Sequence, residues 1–141
     1  MGVERIFLAD DGATAALGAR LAAELKPGAL VLLSGGLGAG KTALARSIIR
    51  ELVGEPAMDV PSPSFALVQP YEANGAPLLH ADLYRLRNER EIDELGLFDR
   101  ADAIALVEWP ERAPELASLA TMAVALSIPS DGIGRIAEIT R

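Results

Sequence analysis

The chain has 141 residues, half of them apolar and 23% charged, with a net charge of −7. That is enough for one compact domain spanning 1–141 with a sizeable core, and it excludes a disordered chain. The absence of cysteine excludes a disulfide scaffold, a cysteine-ligated zinc site and a cysteine nucleophile, and the acidic balance argues against an unaided grip on a nucleic-acid backbone.

The opening MGVERIFLADD lacks the apolar stretch of a signal peptide, and Ile6 stands where a myristoylation signal needs Ser or Thr. No apolar run approaches the roughly 20 residues of a membrane span. The expectation is a soluble, cytoplasmic protein with no membrane segment. Val3–Leu8 alternates loosely, as a first strand does. Asp10 and Asp11 offer N-cap carboxylates to a helix over about 13–25, with Leu17, Leu21 and Leu25 on one stripe. Lys26-Pro27-Gly28 stops it. The run 29–33 is short and uniformly apolar, the pattern of a strand buried on both faces. Leu44, Ile48, Ile49 and Leu52 predict a helix over 41–53, closed by Gly54.

Pro61 to Ser64 form a stiff, helix-averse loop. The segments 65–71 and 77–84 flank Asn74-Gly75, a strong hairpin signal. Asn88-Glu-Arg-Glu91 reads as a capping box for a helix ending near Gly96. A second wholly apolar strand, 103–107, terminates in Glu108, and 122–128 with 135–140 suggest a closing hairpin. The sum is an α/β fold: a mixed sheet with a parallel centre, antiparallel hairpins and flanking helices.

Between the apolar strand and the second helix, Gly35, Gly40, Lys41 and Thr42 satisfy G-x-x-x-x-G-K-[ST]. The chemistry needs that spacing. Glycines let the backbone approach a ligand, and the successive N–H groups of Gly36, Leu37, Gly38, Ala39 and Gly40 can cradle an anion. The following helix N-terminus adds its partial positive charge. Lys41, one of only two lysines, brings a compact charge to the outer phosphates, and Thr42 presents a hydroxyl to Mg²⁺. Shuffled sequences of this composition produce the pattern roughly once in a thousand. A bare glycine turn capping a helix is the weaker reading; a nucleoside triphosphate is the stronger one. No N-K-x-D base-reading motif occurs, and the D-x-x-G of Asp93 to Gly96 falls inside a predicted helix, so ATP is favoured over GTP.

Two acids compete for the metal and water roles. Glu108 ends an apolar strand, where P-loop proteins place a second acidic group facing Mg²⁺. Asp82 adjoins another apolar strand. Against both stands a solvated strand-end carboxylate or an ion pair. His80, the single histidine, shares a strand face with Asp82 and reads more readily as half-buried packing than as a catalytic group. Trp109, Tyr84 and Phe65 read as packing. Arg87 and Arg90 read as a solvated mixed-charge face.

Four blocks occur in order: GGLGAGKT (35–42), SPSFALV (62–68), HADLYRL (80–86) and VEWPER (107–112). Together they resemble the TsaE family, the small bacterial ATPases required for threonylcarbamoyl-adenosine formation in tRNA. ADDGATAALGARLA near the start and GIGR at 132–135 extend the likeness over nearly the whole chain. The resemblance implies that the 35–42 loop holds ATP, that Lys41 acts catalytically, and that Thr42 and Glu108 share Mg²⁺. It implies that Asp82 positions or polarises the attacking water. It makes Ser62–Phe65 a switch-like loop near the outer phosphate and places Asp11 and Gly134 near the base or sugar. It also implies protein partners resembling TsaB and TsaD, which hold the tRNA, and hydrolysis that is slow alone and faster in the complex. A small-molecule kinase and a nucleotide-sensing interaction module are the rival readings. Three positions depart from the family pattern. Gly36 replaces the usual Asp, Ser64 replaces a threonine whose hydroxyl it keeps, and Ala81 replaces an aromatic residue beside Asp82.

Overall fold

The computed structural model describes residues 2–63, 67–88 and 90–141. Seven strands form one sheet: β1 (Val3–Leu8), β2 (Leu30–Ser34), β3 (Val68–Ala73), β4 (Ala76–Asp82), β5 (Ile104–Glu108), β6 (Met122–Ser127) and β7 (Arg135–Thr140). Their spatial order is β1-β7-β6-β2-β5-β4-β3. The four central strands, β6-β2-β5-β4, run parallel. Antiparallel pairs close both sides, β3 on β4, and β7 between β6 and β1. This is the expected mixed sheet with a parallel centre. The closing hairpin appears as β6–β7, and β1 completes that edge by pairing along β7.

Helix α1 (Asp11–Glu24) starts where Asp10 accepts the Ala13 N–H at 2.8 Å. Helix α2 spans Lys41–Val53, the predicted range, and ends on the left-handed Gly54, whose N–H returns to the Arg50 carbonyl. Asn74 and Gly75 form a two-residue turn with φ of 53° and 80°. Both values are positive, as the tight hairpin turn requires, so a longer connection is not used. The predicted 65–71 strand begins only at Val68; residues 64–66, including Ser64 and Phe65, lie outside the described residues.

The capping-box segment gives a shorter helix than expected, α3 (Arg90–Glu94). Asn88 Oδ1 accepts the Arg90 N–H, while Glu91 reaches back to the Arg87 N–H rather than to the cap residue. Glu89, within that block, is outside the described residues. Two 3₁₀ turns, Pro110–Arg112 and Pro114–Ser118, follow β5 and were not anticipated from the pattern. Each opens on proline, whose fixed φ suits a first helical position.

Both faces of the sheet are covered. Leu17, Leu21, Leu44, Ile48 and Ile49 of α1 and α2 pack on Val31, Leu33, Leu106, Val124 and Ile139. On the other face Leu30, Leu32, Ala105 and Val107 meet Leu83, Ile92, Leu97 and Leu116. Burial on both sides explains the unbroken apolar runs of β2 and β5. Among the described residues no helix is long and apolar enough to cross a membrane.

Candidate phosphate-binding site

Parallel strands end on the same edge of the sheet, and helices that follow them begin there. Leu33 of β2 is in register with Glu108 of β5, and Glu108 with Asp82 of β4. The chain leaves β2 at Ser34, turns through residues 35–40 and enters α2 at Lys41. The loop and both acids therefore meet at one end of the sheet. Leu78, His80 and Asp82 alternate onto the face covered by α1 and α2, as do Ile104, Leu106 and Glu108.

Among the described residues the buried polar or charged side chains are Lys41, His80, Asp82 and Glu108, and all four sit in this one cluster. Burying such groups costs free energy unless they are paired. Glu108 is paired at both oxygens. Oε1 accepts the Thr42 hydroxyl at 2.8 Å, and Oε2 lies 2.6 Å from His80 Nε2. His80 is completely buried, deeper than the half-buried packing position expected of it. Asp82 Oδ1 accepts the Tyr84 N–H at 2.9 Å.

Lys41 Nζ donates to the Gly35 and Gly36 carbonyls at 2.7 and 2.9 Å and lies 4.1 Å from the centroid of Trp109. Burial pushes its pKa below the ordinary lysine value, opposed by the carboxylates of Glu108, Glu111 and Asp82. Trp109 has φ 57° and ψ 50°, a left-handed conformation that a bulky side chain rarely adopts. It brings the ring back over the lysine and 4.8 Å from the Tyr84 ring, to which it is tilted by 53°, while Arg112 lies over the Tyr84 ring, 5.6 Å from its centroid. Trp109 and Tyr84 pack on one another, as expected, and in doing so also form an aromatic wall beside Lys41. Its only signal in sequence is that Trp109 directly follows Glu108.

A cavity of about 450 Å³ is lined by Leu37, Gly38, Gly40, Lys41, Thr42, Ser62, Asp82, Arg85, Glu108 and Trp109, among others. A second, of about 340 Å³, shares Gly38 and Gly40 with it and includes Asp11, Gly134 and Arg135. The two flank the loop, one toward the acids, the other toward the α1 N-terminus. Gly36 and Ala39 line neither cavity. Ala39 is buried and its N–H returns to the Gly36 carbonyl, so these two shape the turn. Ser62 reaches the first cavity, while Ser64 and Phe65 of the same predicted switch loop fall outside the described residues. Arg135 was not singled out from the sequence. Its guanidinium donates twice to the Gly38 carbonyl, at 3.0 and 3.2 Å, and ties β7 to the loop.

Oxygen donors at strand ends beside a phosphate loop suit Mg²⁺, which takes few protein ligands and keeps waters and phosphate oxygens. Among the described residues no cluster of three or more His, Cys, Asp or Glu that could hold a metal ion occurs. Thr42 and Glu108 fit the metal side of such a site, and Asp82 lies one strand away.

Strand, glycine loop and helix on a parallel-centred mixed sheet, with acids at the neighbouring strand ends, define an α/β class of protein. The profile described as "Threonylcarbamoyl adenosine biosynthesis protein TsaE" matches residues 8–135. The chain belongs to the TsaE family. A Rickettsia felis protein named tRNA threonylcarbamoyladenosine biosynthesis protein TsaE is 41% identical over 107 residues, 75% of this chain and 62% of that protein. The chain thus spans less than two thirds of that relative's length. A Nostoc protein of the same name is 38% identical over 143 residues, 96% of this chain and 85% of its own. The crystal structure of Bacillus subtilis YdiB has the same fold, with a TM-score of 0.73 and 22% identity, covering 98% of this chain and 84% of that one.

Proposed function

We propose that this chain binds and hydrolyses ATP with Mg²⁺ at the 35–42 loop, as an accessory subunit in threonylcarbamoyladenosine formation on tRNA in the cytoplasm. The supporting observation is the clustering of the buried Lys41, His80, Asp82 and Glu108 beside that loop. Family membership supplies the pathway. The net charge of −7 suits a subunit that leaves the tRNA to partners resembling TsaB and TsaD.

In this reading the β- and γ-phosphates lie in the cavity lined by Lys41, Thr42, Asp82 and Glu108, and the base and sugar lie toward Asp11 and Gly134. Lys41 spends two of its three N–H donors on loop carbonyls and has a third for a phosphate oxygen. Those carbonyls and the Trp109 face hold its charge in place, so little reorganisation accompanies binding. Thr42 and Glu108 would hold Mg²⁺, which when bound would supply neutralisation of phosphate charge. Thr42, its hydroxyl proton donated in a hydrogen bond to Glu108, would have oxygen lone pairs to offer the metal. Asp82, at the end of the neighbouring strand and lining the same cavity, is the carboxylate that would orient the attacking water. Water attacks the γ-phosphorus, the bond to the β-bridging oxygen breaks, and ADP and inorganic phosphate leave.

Turnover of γ-labelled ATP with and without the partner proteins tests this. Inorganic phosphate should be the sole labelled product, with faster release in the presence of partners. Lys41→Ala should lower that rate by about a hundred-fold or more, the scale of losing one preorganised donor to developing charge. A labelled metabolite would establish a kinase instead, and binding without turnover in the complex would establish a sensor.

A further inference from the structure

His80 is the one buried polar group of the cluster without a part in the mechanism above. Its side chain is wholly buried, and its ring nitrogen Nε2 lies 2.6 Å from Glu108 Oε2. Facing a carboxylate, that nitrogen carries the proton and donates. The other ring nitrogen, Nδ1, is buried with no hydrogen-bond partner among the described residues. Leaving a buried polar atom unpartnered is destabilising, and most buried polar groups avoid it. A leucine would fill the interior beside Leu78 and Leu106 without that penalty. Packing therefore does not account for histidine here. The contact it makes with Glu108 does.

We infer that His80 is a positioning residue: it fixes Glu108 so that the carboxylate and the Thr42 hydroxyl meet Mg²⁺ in one arrangement. The inference rests on the Mg²⁺–ATP reading of the site. The register explains the reach. Asp82 stands opposite Glu108, and His80, one pleat earlier on the same face, approaches Glu108 diagonally beneath the site. With Oε2 held from below and Oε1 bonded to Thr42, neither carboxylate torsion is free. The three side chains form one line, His80–Glu108–Thr42, running from the core to the first turn of α2. Without the histidine, Glu108 can rotate and its Oε2 loses its hydrogen-bond partner. Partners that orient a metal-side carboxylate commonly account for ten- to hundred-fold in metal affinity.

The test is equilibrium binding of a non-hydrolysable ATP analogue, titrated with Mg²⁺ and in EDTA, for the unsubstituted protein, His80→Leu and His80→Gln. His80→Leu should weaken the apparent Mg²⁺ affinity of the nucleotide complex by about ten- to hundred-fold and leave binding in EDTA within about two-fold. His80→Gln, whose amide can donate near the position of Nε2, should recover most of the loss. If His80→Leu does not fold, His80→Asn, with a shorter reach, carries the same expectation. Unchanged Mg²⁺ dependence in these variants overturns the inference and leaves the Mg²⁺–ATP reading standing. An equal loss with and without metal also overturns it, because that is the mark of a merely structural residue. Metal-independent binding by the unsubstituted protein overturns the reading of the site and the inference together.

Discussion

Gly35 and Gly36 are adjacent in the loop and obey opposite constraints. Gly35 has φ 145°, and a Cβ there would meet the Leu126 carbonyl oxygen at 2.5 Å. Gly36 has no positive φ, and a Cβ there meets nothing within 4 Å. The first glycine is required by the fold; the second is free to be another residue. Gly36→Asp, the side chain common in the family pattern, should therefore fold normally, with a stability change within about 0.5 kcal/mol, as for ordinary exposed substitutions. Gly35→Ala should lose about 1–3 kcal/mol from strain and the clash with β6. Urea unfolding of the two variants checks the pair, and a Gly36→Asp loss as large as that of Gly35→Ala would refute the distinction. Residues of this kind also mark what was legible in the sequence. Lys41 and Thr42 could be singled out because G-x-x-x-x-G-K-[ST] fixes residue type and spacing, whereas Asp82 and Glu108 stood out only as acids beside apolar strands, their separate roles implied by the family resemblance. Trp109 could not be placed over Lys41, because that contact depends on a left-handed backbone at one position and on where α2 begins.

At the scale of elements, local signals fared best where a single residue closes an element. Gly54 ended α2 and Asn74-Gly75 set the hairpin, both through positive φ. Signals weakened where partners are distant in sequence. Nothing local to Val3–Leu8 says that it pairs with Arg135–Thr140. The α3 capping signal was real, but its helix is five residues long because little beyond Ile92 is buried within it. The crossing of α1 and α2 was hidden for the same reason. Gly18 reads as an ordinary weak helix residue, yet in the structure a Cβ there would collide with Ser47 Cβ and approach the Ile48 amide at 3.2 Å. The two helices lie close because Gly18 has no side chain. Gly18→Ala raises intrinsic helix propensity by up to about 1 kcal/mol, but overpacking costs about 1–3 kcal/mol. The second term wins, so the variant should be less stable by thermal or urea unfolding. A more stable Gly18→Ala would mean that the helices part without penalty.

Across the whole molecule, the glycine loop at 35–40 and the two chain ends lie at different places and are held by different contacts. The loop is held by hydrogen bonds, partly buried from Lys41 to its carbonyls and from Thr42 to Glu108, and exposed from Arg135 to Gly38. The ends are held by exposed charges. Arg141 donates to both oxygens of Glu24 on α1 and to Glu4 on β1, and Arg20 also bridges to Glu4 at 2.8 Å. The hydrogen bond from Arg20 holds the Glu4 carboxyl below its ordinary value of 4.5, and that from Arg141 does the same for Glu24. A carboxyl lowered in the folded state binds its proton more weakly there than in the unfolded chain. Its contribution is complete above the ordinary value of 4.5 and disappears as pH falls through the lowered, folded values. Arg141→Ala should thus lower the melting temperature slightly at neutral pH, because exposed ion pairs contribute little. The gap from the unsubstituted protein should close in acid, and molar salt should shrink it at neutral pH, where the Debye length falls to about 3 Å. Melting curves across pH at low and high salt measure this. A gap that persists unchanged into acid and at high salt would mean that Arg141 acts by packing its aliphatic stem across β1 and α1, and that the ends are held by contact rather than by charge.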